Sequence, residues 1–234
     1  MSSKPNPEHA TPTGGNACRF SSRHYAETLQ AYSDSGYTFV NFDDIADGEF
    51  DPDSKLILLR HDIDLDPFLL PRLTEPERKL GLRSTIFLRV ASLAYSLSTA
   101  LSDGYIQNLV GDGFGLGLHY EPAEPERLSS SISDELSLLS HHSNLRIRGG
   151  SAHSPALNGG IPSGQFARQA GLDWEAFELG TNAGFKYISD SSRHWREGCF
   201  CKWINKSNRL HILTHPVWWK RGTGSQIQSI VDRL

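Results

Sequence analysis

The chain reads as short apolar runs separated by amphipathic stretches. Lys55-Leu-Ile-Leu-Leu-Arg60 is the plainest of the runs. A run that brief and that continuously apolar predicts a strand buried on both faces of a parallel sheet. Tyr37–Phe42, Ser84–Val90, Phe114–His119, a stretch near Arg148–His153 and Lys186–Asp190 predict further short strands. Between them the spacing turns helical. Ser21 or Ser22 is placed to cap a helix that carries Tyr25, Leu29 and Tyr32 and stops at Gly36. Other helices are expected over Leu69–Leu80, irregular because of Pro71 and Pro76, and over residues 98–112. A Ser131-x-x-Asp134 capping box predicts one through Leu136 and Leu139, and two more cover residues 163–180 and Gln226–Leu234. Cys199-Phe-Cys-Lys-Trp-Ile204, a polar turn and Leu210–Thr214 predict a hairpin or two neighbouring strands. Strands alternating with helices make this an α/β chain with a largely parallel sheet, open or closed.

Residues 1–17, rich in Pro, Ser, Asn, Thr and Gly, read as a mobile polar tail, which leaves 18–234 as a single domain. With 234 residues, 38% of them hydrophobic, the chain is long enough to bury a core of its own. Three Cys are too few for a disulfide framework. A formal charge of −4 argues against a nucleic-acid surface. No apolar run approaches the ~20 residues of a membrane span. The polar opening residues lack the apolar core of a secretory signal, so the expected setting is cytoplasmic and the expected partner a small molecule. The positive signal is ten His.

Their placement gives that number content. Five predicted strands each end in an ionisable group, which is where βα proteins build their sites. The groups are Asp62 with Asp64, His119, His153, Asp190 and His215. Asp64, His119 and His153 form a plausible set for one divalent metal, two imidazoles and a carboxylate, with zinc the expected ion. Asp62 shares a strand face with Asp64 and is the candidate base. His215 is the candidate acid, kept in its useful tautomer by Asp190. Trp218 and Trp219 follow His215 closely, and one of them is expected to line the substrate pocket, with Trp195 a weaker candidate. Asp66 reads as a turn residue, Glu121 as a loop carboxylate, and His141 and His142 as solvated. His24, His194 and His211 read as surface or packing residues. Cys199 and Cys201 read as buried strand thiols, since no further soft ligand lies nearby in sequence.

Leu-Arg-His-Asp-Ile-Asp64, Ser84-Thr-Ile-Phe-Leu88, Gly115-Leu-Gly-Leu-His-Tyr-Glu121 and Leu213-Thr-His-Pro-Val-Trp-Trp219 together resemble the motifs of the polysaccharide deacetylase family of NodB-homology type. The resemblance runs from about residue 20 to about 220 and is nearer to cytoplasmic sugar-processing members than to secreted chitin deacetylases. It implies a distorted, incomplete (β/α) barrel of parallel strands, with fewer than a full eight. It also implies metal-dependent removal of an acyl group, N-acetyl above all, from a small sugar. Asp62 would be the base, Asp64 a metal ligand, His215 the acid and Asp190 its support. Two motifs depart from the family pattern. The usual Thr-Phe-Asp-Asp-Gly has adjacent carboxylates, here spaced as Asp62-Ile-Asp64, and the second His usual four residues after the first is Ala123. His153 is the candidate for the missing ligand. The family's Arg-bearing motif is not visible, which leaves Arg60 or Arg148 to steady Asp62. A catalytically silent carbohydrate-binding relative and a deformylase or other amide hydrolase are the alternatives on the same scaffold.

Overall fold

A computed structural model describes residues 20–121, 125–153 and 163–219. The predicted tail over 1–17 and helix over Gln226–Leu234 lie outside the described residues. Eight strands form one all-parallel sheet: β1 (Tyr37–Val40), β2 (Lys55–Ile63), β3 (Thr85–Leu88), β4 (Gly115–Tyr120), β5 (Gly149–Ala152), β6 (Trp174–Glu175), β7 (Lys186–Ser189) and β8 (Arg209–Thr214). The order is β6-β5-β4-β3-β2-β8-β7, with β1 pairing β2 besides. Tyr37–Val40 lie against Lys55–Leu58, whereas Thr85–Leu88 lie against Arg60–Ile63, so β1 and β3 flank successive halves of β2. The sheet curls into an incomplete (β/α) barrel, and among the described residues β6 and β7 do not pair. The barrel is incomplete, as the sequence suggested: β1 and β3 share one edge of β2, so seven strands follow one another along the sheet and its ends stay open among the described residues.

Period-2 alternation sorts the continuous apolar run of β2 into two faces. Leu56 and Leu58 face inward with Val40, Phe42, Phe87, Trp174 and Phe185. Ile57 and Leu59 face outward against Tyr25, Leu29, Tyr32 and Leu73. A second outer layer gathers Ile86, Leu88, Leu118, Ile132 and Leu139. The narrow interior holds large rings because glycines stand opposite them. A Cβ on Gly117 would meet the Phe87 ring at 2.5 Å, and one on Gly149 the Trp174 indole at 2.2 Å.

The helices that cover the outside begin with α1 (Ser22–Asp34), where Ser21 Oγ accepts from the His24 N–H at 3.2 Å and Gly36, at φ 79°, follows the last turn. Next is α2 (Phe42–Asp47), opened by an Asn41/Asp44 capping box where the sequence predicted more strand. α3 (Pro71–Lys79) is preceded by a 3₁₀ turn at Pro67–Leu69. The helix expected over 98–112 divides into α4 (Leu97–Leu101) and α5 (Tyr105–Gly111) at Gly104, whose φ of 69° suits glycine. α6 (Pro125–Ser143) starts six residues before the predicted capping box, which leaves Ser131 within the helix. The stretch 163–180 is α7 (Ser163–Gln169), then β6, then α8 (Ala176–Asn182). Cys199–Ile204 is not a strand: Phe200–Trp203 form a 3₁₀ turn. No described helix is long and apolar enough to cross a membrane.

Candidate active site

The inner face of β2 continues Leu58, Arg60, Asp62, and two residues on Asp64 follows just past the strand's end. Equal parity on β4 delivers His119, which pairs in register with Ser151 of β5, and His153 lies two residues beyond Ser151. β8 ends one residue before His215. The five groups therefore meet at the carboxyl end of the sheet because each sits on the inward phase of a parallel strand or directly after it.

Asp64 Oδ1 lies 3.2 Å from His119 Nε2 and 3.3 Å from His153 Nδ1, and the two nitrogens are 3.2 Å apart. His119 Nδ1 is 3.0 Å from the Ser151 carbonyl oxygen, which can only accept, so the ring hydrogen sits on Nδ1 and Nε2 presents a lone pair. Asp64 Oδ1 is itself buried without a hydrogen bond. With His119 Nε2 bare, the one hydrogen that His153 Nδ1 can carry serves only one of these contacts, and a cation among the three atoms would relieve the others. This donor set of two imidazoles and one carboxylate suits a borderline divalent cation, with other positions left to water or substrate.

Asp62 stands beside this set, with Oδ2 3.6 Å from His119 Nε2. The Arg60 Nη2–H donates to the same Oδ2 at 3.1 Å, and Oδ1 is buried without a partner. Burial works against the Arg60 charge, but Asp62, with Tyr187, Glu175 and Asp64 further off, more than restores it. Of the two arginines open in the sequence, Arg60 is therefore the one at Asp62. Arg148 is half-buried elsewhere, held by Asp43, Asp47 and Asp173. On the far side His215 Nε2 lies 3.7 Å from Asp64 Oδ2, and His215 Nδ1 lies 2.6 Å from Asp190 Oδ1. Asp190 also accepts from the His215 backbone N–H and, at 2.9 Å, from the Trp219 indole N–H. Burial disfavours the imidazolium, yet Asp190, aided by Asp64 and Asp62, pushes His215 up to about 9.

The tryptophans sit differently from the sequence reading. Trp219 is 1% exposed, packed against Tyr25 and Phe20, with its N–H on Asp190. It is enclosed as a support of the Asp190–His215 pair and offers no open face for a sugar. Trp218 is buried as well. Trp195 is half-buried and stacked on Phe20 and Phe200. Sequence reasoning missed Tyr95, whose O–H donates to the Ile63 carbonyl at 2.7 Å and accepts from the Arg89 N–H, tying the ends of β2 and β3 together. It also missed Glu175, which is buried, and Tyr187, which is half-buried, both close enough to Arg60 to interact with its charge. A two-residue strand and a single aromatic in a loop leave no periodic signal to find.

No protein-family model and no curated protein matches the chain. Solved structures do. The peptidoglycan deacetylase PdaC from Bacillus subtilis superposes with a TM-score of 0.51 at 16% identity, covering 79% of this chain and 85% of that one. A mutant of a CE4-family pseudoenzyme, whose wild-type form comes from Bacillus anthracis, superposes with a TM-score of 0.51 at 14% identity. That match covers 78% of this chain and 63% of the pseudoenzyme, so the chain spans less than two thirds of its length. The likeness is one of fold.

Proposed function

From a fold shared with a peptidoglycan deacetylase and a CE4-family pseudoenzyme, we propose that this chain is a divergent polysaccharide deacetylase relative, a hydrolase that removes an acyl group, N-acetyl above all, from a small sugar or sugar derivative. One observation carries the reading: Asp64 Oδ1, His119 Nε2 and His153 Nδ1 converge without hydrogens enough to satisfy one another, between Asp62 on one side and the His215–Asp190 pair on the other. These three residues would hold one divalent metal, zinc by donor type. When bound, such an ion polarises a carbonyl oxygen and acidifies water.

The chain's own groups supply the rest. Asp62 takes the proton of the attacking water at Oδ1, the oxygen left without a partner, while Arg60 holds Oδ2 in place. The water oxygen bonds to the acyl carbon as the carbon–nitrogen bond breaks. His215 gives the Nε2 proton to the departing nitrogen, and Asp190, whose charge favours the protonated ring, keeps it oriented through Nδ1. Products are a free amine and a carboxylate.

The test is to measure metal content and acid release together. Asp64→Ala is expected to lose turnover and the metal held by Asp64, His119 and His153, whereas Asp62→Asn keeps that metal and loses roughly 10²–10⁴-fold in kcat, the usual contribution of a positioned base. A wild-type chain that binds no metal and ignores added metal overturns the proposal. A second reading rests on the altered motifs, Asp62-Ile-Asp64 and Ala123: a relative that binds acylated sugar with metal in place and releases no acid. Release of formate in place of acetate would move the assignment to a deformylase.

A further inference from the structure

On the outer side of the barrel, one more group of metal-type ligands comes together from distant parts of the chain. His24 sits in the first turn of α1, Cys199 precedes the 3₁₀ turn between β7 and β8, and Cys201 lies in it. His24 Nε2 is 3.2 Å from Cys199 Sγ, and the imidazole nitrogen and the two sulfurs all lie within 4.8 Å of one another. His24 and Cys199 are buried and Cys201 is half-buried. We propose that His24, Cys199 and Cys201 hold a thiophilic divalent metal, zinc by ligand type, as a structural staple separate from the candidate active site.

The dimensions suit such an ion. Zinc–sulfur bonds of about 2.3 Å and zinc–nitrogen bonds of about 2.0–2.1 Å in tetrahedral array place sulfur about 3.6 Å from nitrogen and about 3.8 Å from the other sulfur. The His24–Cys199 edge, at 3.2 Å, needs to open by only a few tenths of an ångström, and the other two edges are no longer than 4.8 Å. Two thiolates and one imidazole select zinc over magnesium or calcium, and binding releases the thiol protons.

The surroundings hold the ligands in place without the metal. Ser21 Oγ accepts from the His24 N–H, and the Thr28 hydroxyl donates to the His24 carbonyl at 2.8 Å. Tyr32 O–H donates to the Phe200 carbonyl at 2.6 Å, between the two cysteines, and the Lys202 N–H donates to the Cys199 carbonyl at 2.9 Å. Phe200 stacks on Trp195, which stacks in turn on Phe20. Fixed second partners of this kind are what keep metal ligands oriented. A metal here would join residues 175 positions apart. It would clamp α1 to the layer in which Phe20, Trp219 and Asp190 support His215. The donor chemistry differs from that of Asp64, His119 and His153, so the two sites can be told apart spectroscopically.

The test titrates the reduced, metal-stripped full chain with cobalt(II) under anaerobic conditions. In an Asp64→Ala background, which lacks the carboxylate of the other site, a thiolate-to-cobalt charge-transfer band in the near ultraviolet is expected to saturate at one equivalent. The double variant Cys199→Ser with Cys201→Ser should lose the band, and His24→Gln should weaken cobalt binding at least tenfold. Because these variants can fail to fold, the unaltered chain gives a second readout. Zinc should slow iodoacetamide labelling of Cys199 and Cys201, followed by peptide mass spectrometry, at least tenfold, and chelation should reverse it. Absence of the near-ultraviolet band, its survival in the double cysteine variant, or labelling rates indifferent to zinc would each overturn the proposal and leave an ordinary packed Cys–His contact.

Discussion

His215 shows how one residue's surroundings become a property of the whole chain. Its side chain is pushed up to about 9 from an ordinary 6.5, because Asp190 outweighs the cost of burial. A raised folded-state value means that the charged form stabilises the fold. The contribution is complete below about pH 6.5 and is lost as pH rises through about 9. In chelator, urea unfolding of the wild type should therefore lose on the order of 3 kcal/mol between pH 6 and 10 relative to His215→Gln. Parallel pH curves for the two proteins would contradict this. At this scale much was legible in the sequence: Asp62, Asp64, His119, His153, Asp190 and His215 all stand at strand ends, and the structure brings them into one cluster. The choice of Arg60 over Arg148 was not legible, because both border predicted strands and only the sheet's curl decides which guanidinium reaches Asp62.

Among elements, β2 carries the most. Its inward phase serves the site, and its outward phase anchors the helices through His61, which is fully buried. His61 Nε2 meets Glu77 of α3 at 2.9 Å and Nδ1 meets Thr214 of β8 at 2.7 Å. The Tyr25 and Ser84 hydroxyls also donate to Glu77. Glu77→Ala would leave the Tyr25 and Ser84 hydroxyls and His61 Nε2 without their shared partner in the core and should cost roughly 3–5 kcal/mol in denaturant unfolding. A loss below 1 kcal/mol would show that water or repacking replaces the carboxylate. The interior glycines make a second prediction. Trp174 is held by Asp43 and stacked on Phe42, so it cannot retreat from a Cβ at 149. Gly149→Ala should destabilise by about 1–3 kcal/mol through overpacking, read as a lowered Tm. The missed elements share a cause. α2 has six residues and β6 two, too few for a period to register. Cys199–Ile204 reads as a strand because Phe, Trp and Ile favour strands, yet burial of Phe200 among Tyr25, Tyr32 and Trp219 selects a 3₁₀ turn.

For the molecule as a whole, the open parallel sheet makes stability and site formation one event, since the cluster exists only when β2, β4, β5 and β8 are in register. Metal that binds the folded chain alone must therefore stabilise it. At a hundred times its dissociation constant, each occupied site adds about 2.7 kcal/mol. For a chain of this size that corresponds to roughly 5–10 °C in Tm. Thermal melts with zinc and with chelator check it. Asp64→Ala should remove the share due to the candidate active site, and an unchanged Tm on adding zinc to the wild type would argue against metal at either position.

By itself the sequence determined the alternation of strand and helix, the parallel α/β class and the residues delivered to the strand ends, because these depend on local periodicity and chain order. Tertiary structure alone decided which phase of each strand faces inward, which arginine meets Asp62, and that Trp219 supports Asp190 from within the core. It alone also brings His24 to Cys199 and Cys201, across 175 positions of chain. The physical reason is common to all of them: each is a contact between residues remote in sequence, set by the register and curl of the sheet and invisible to any window along the chain.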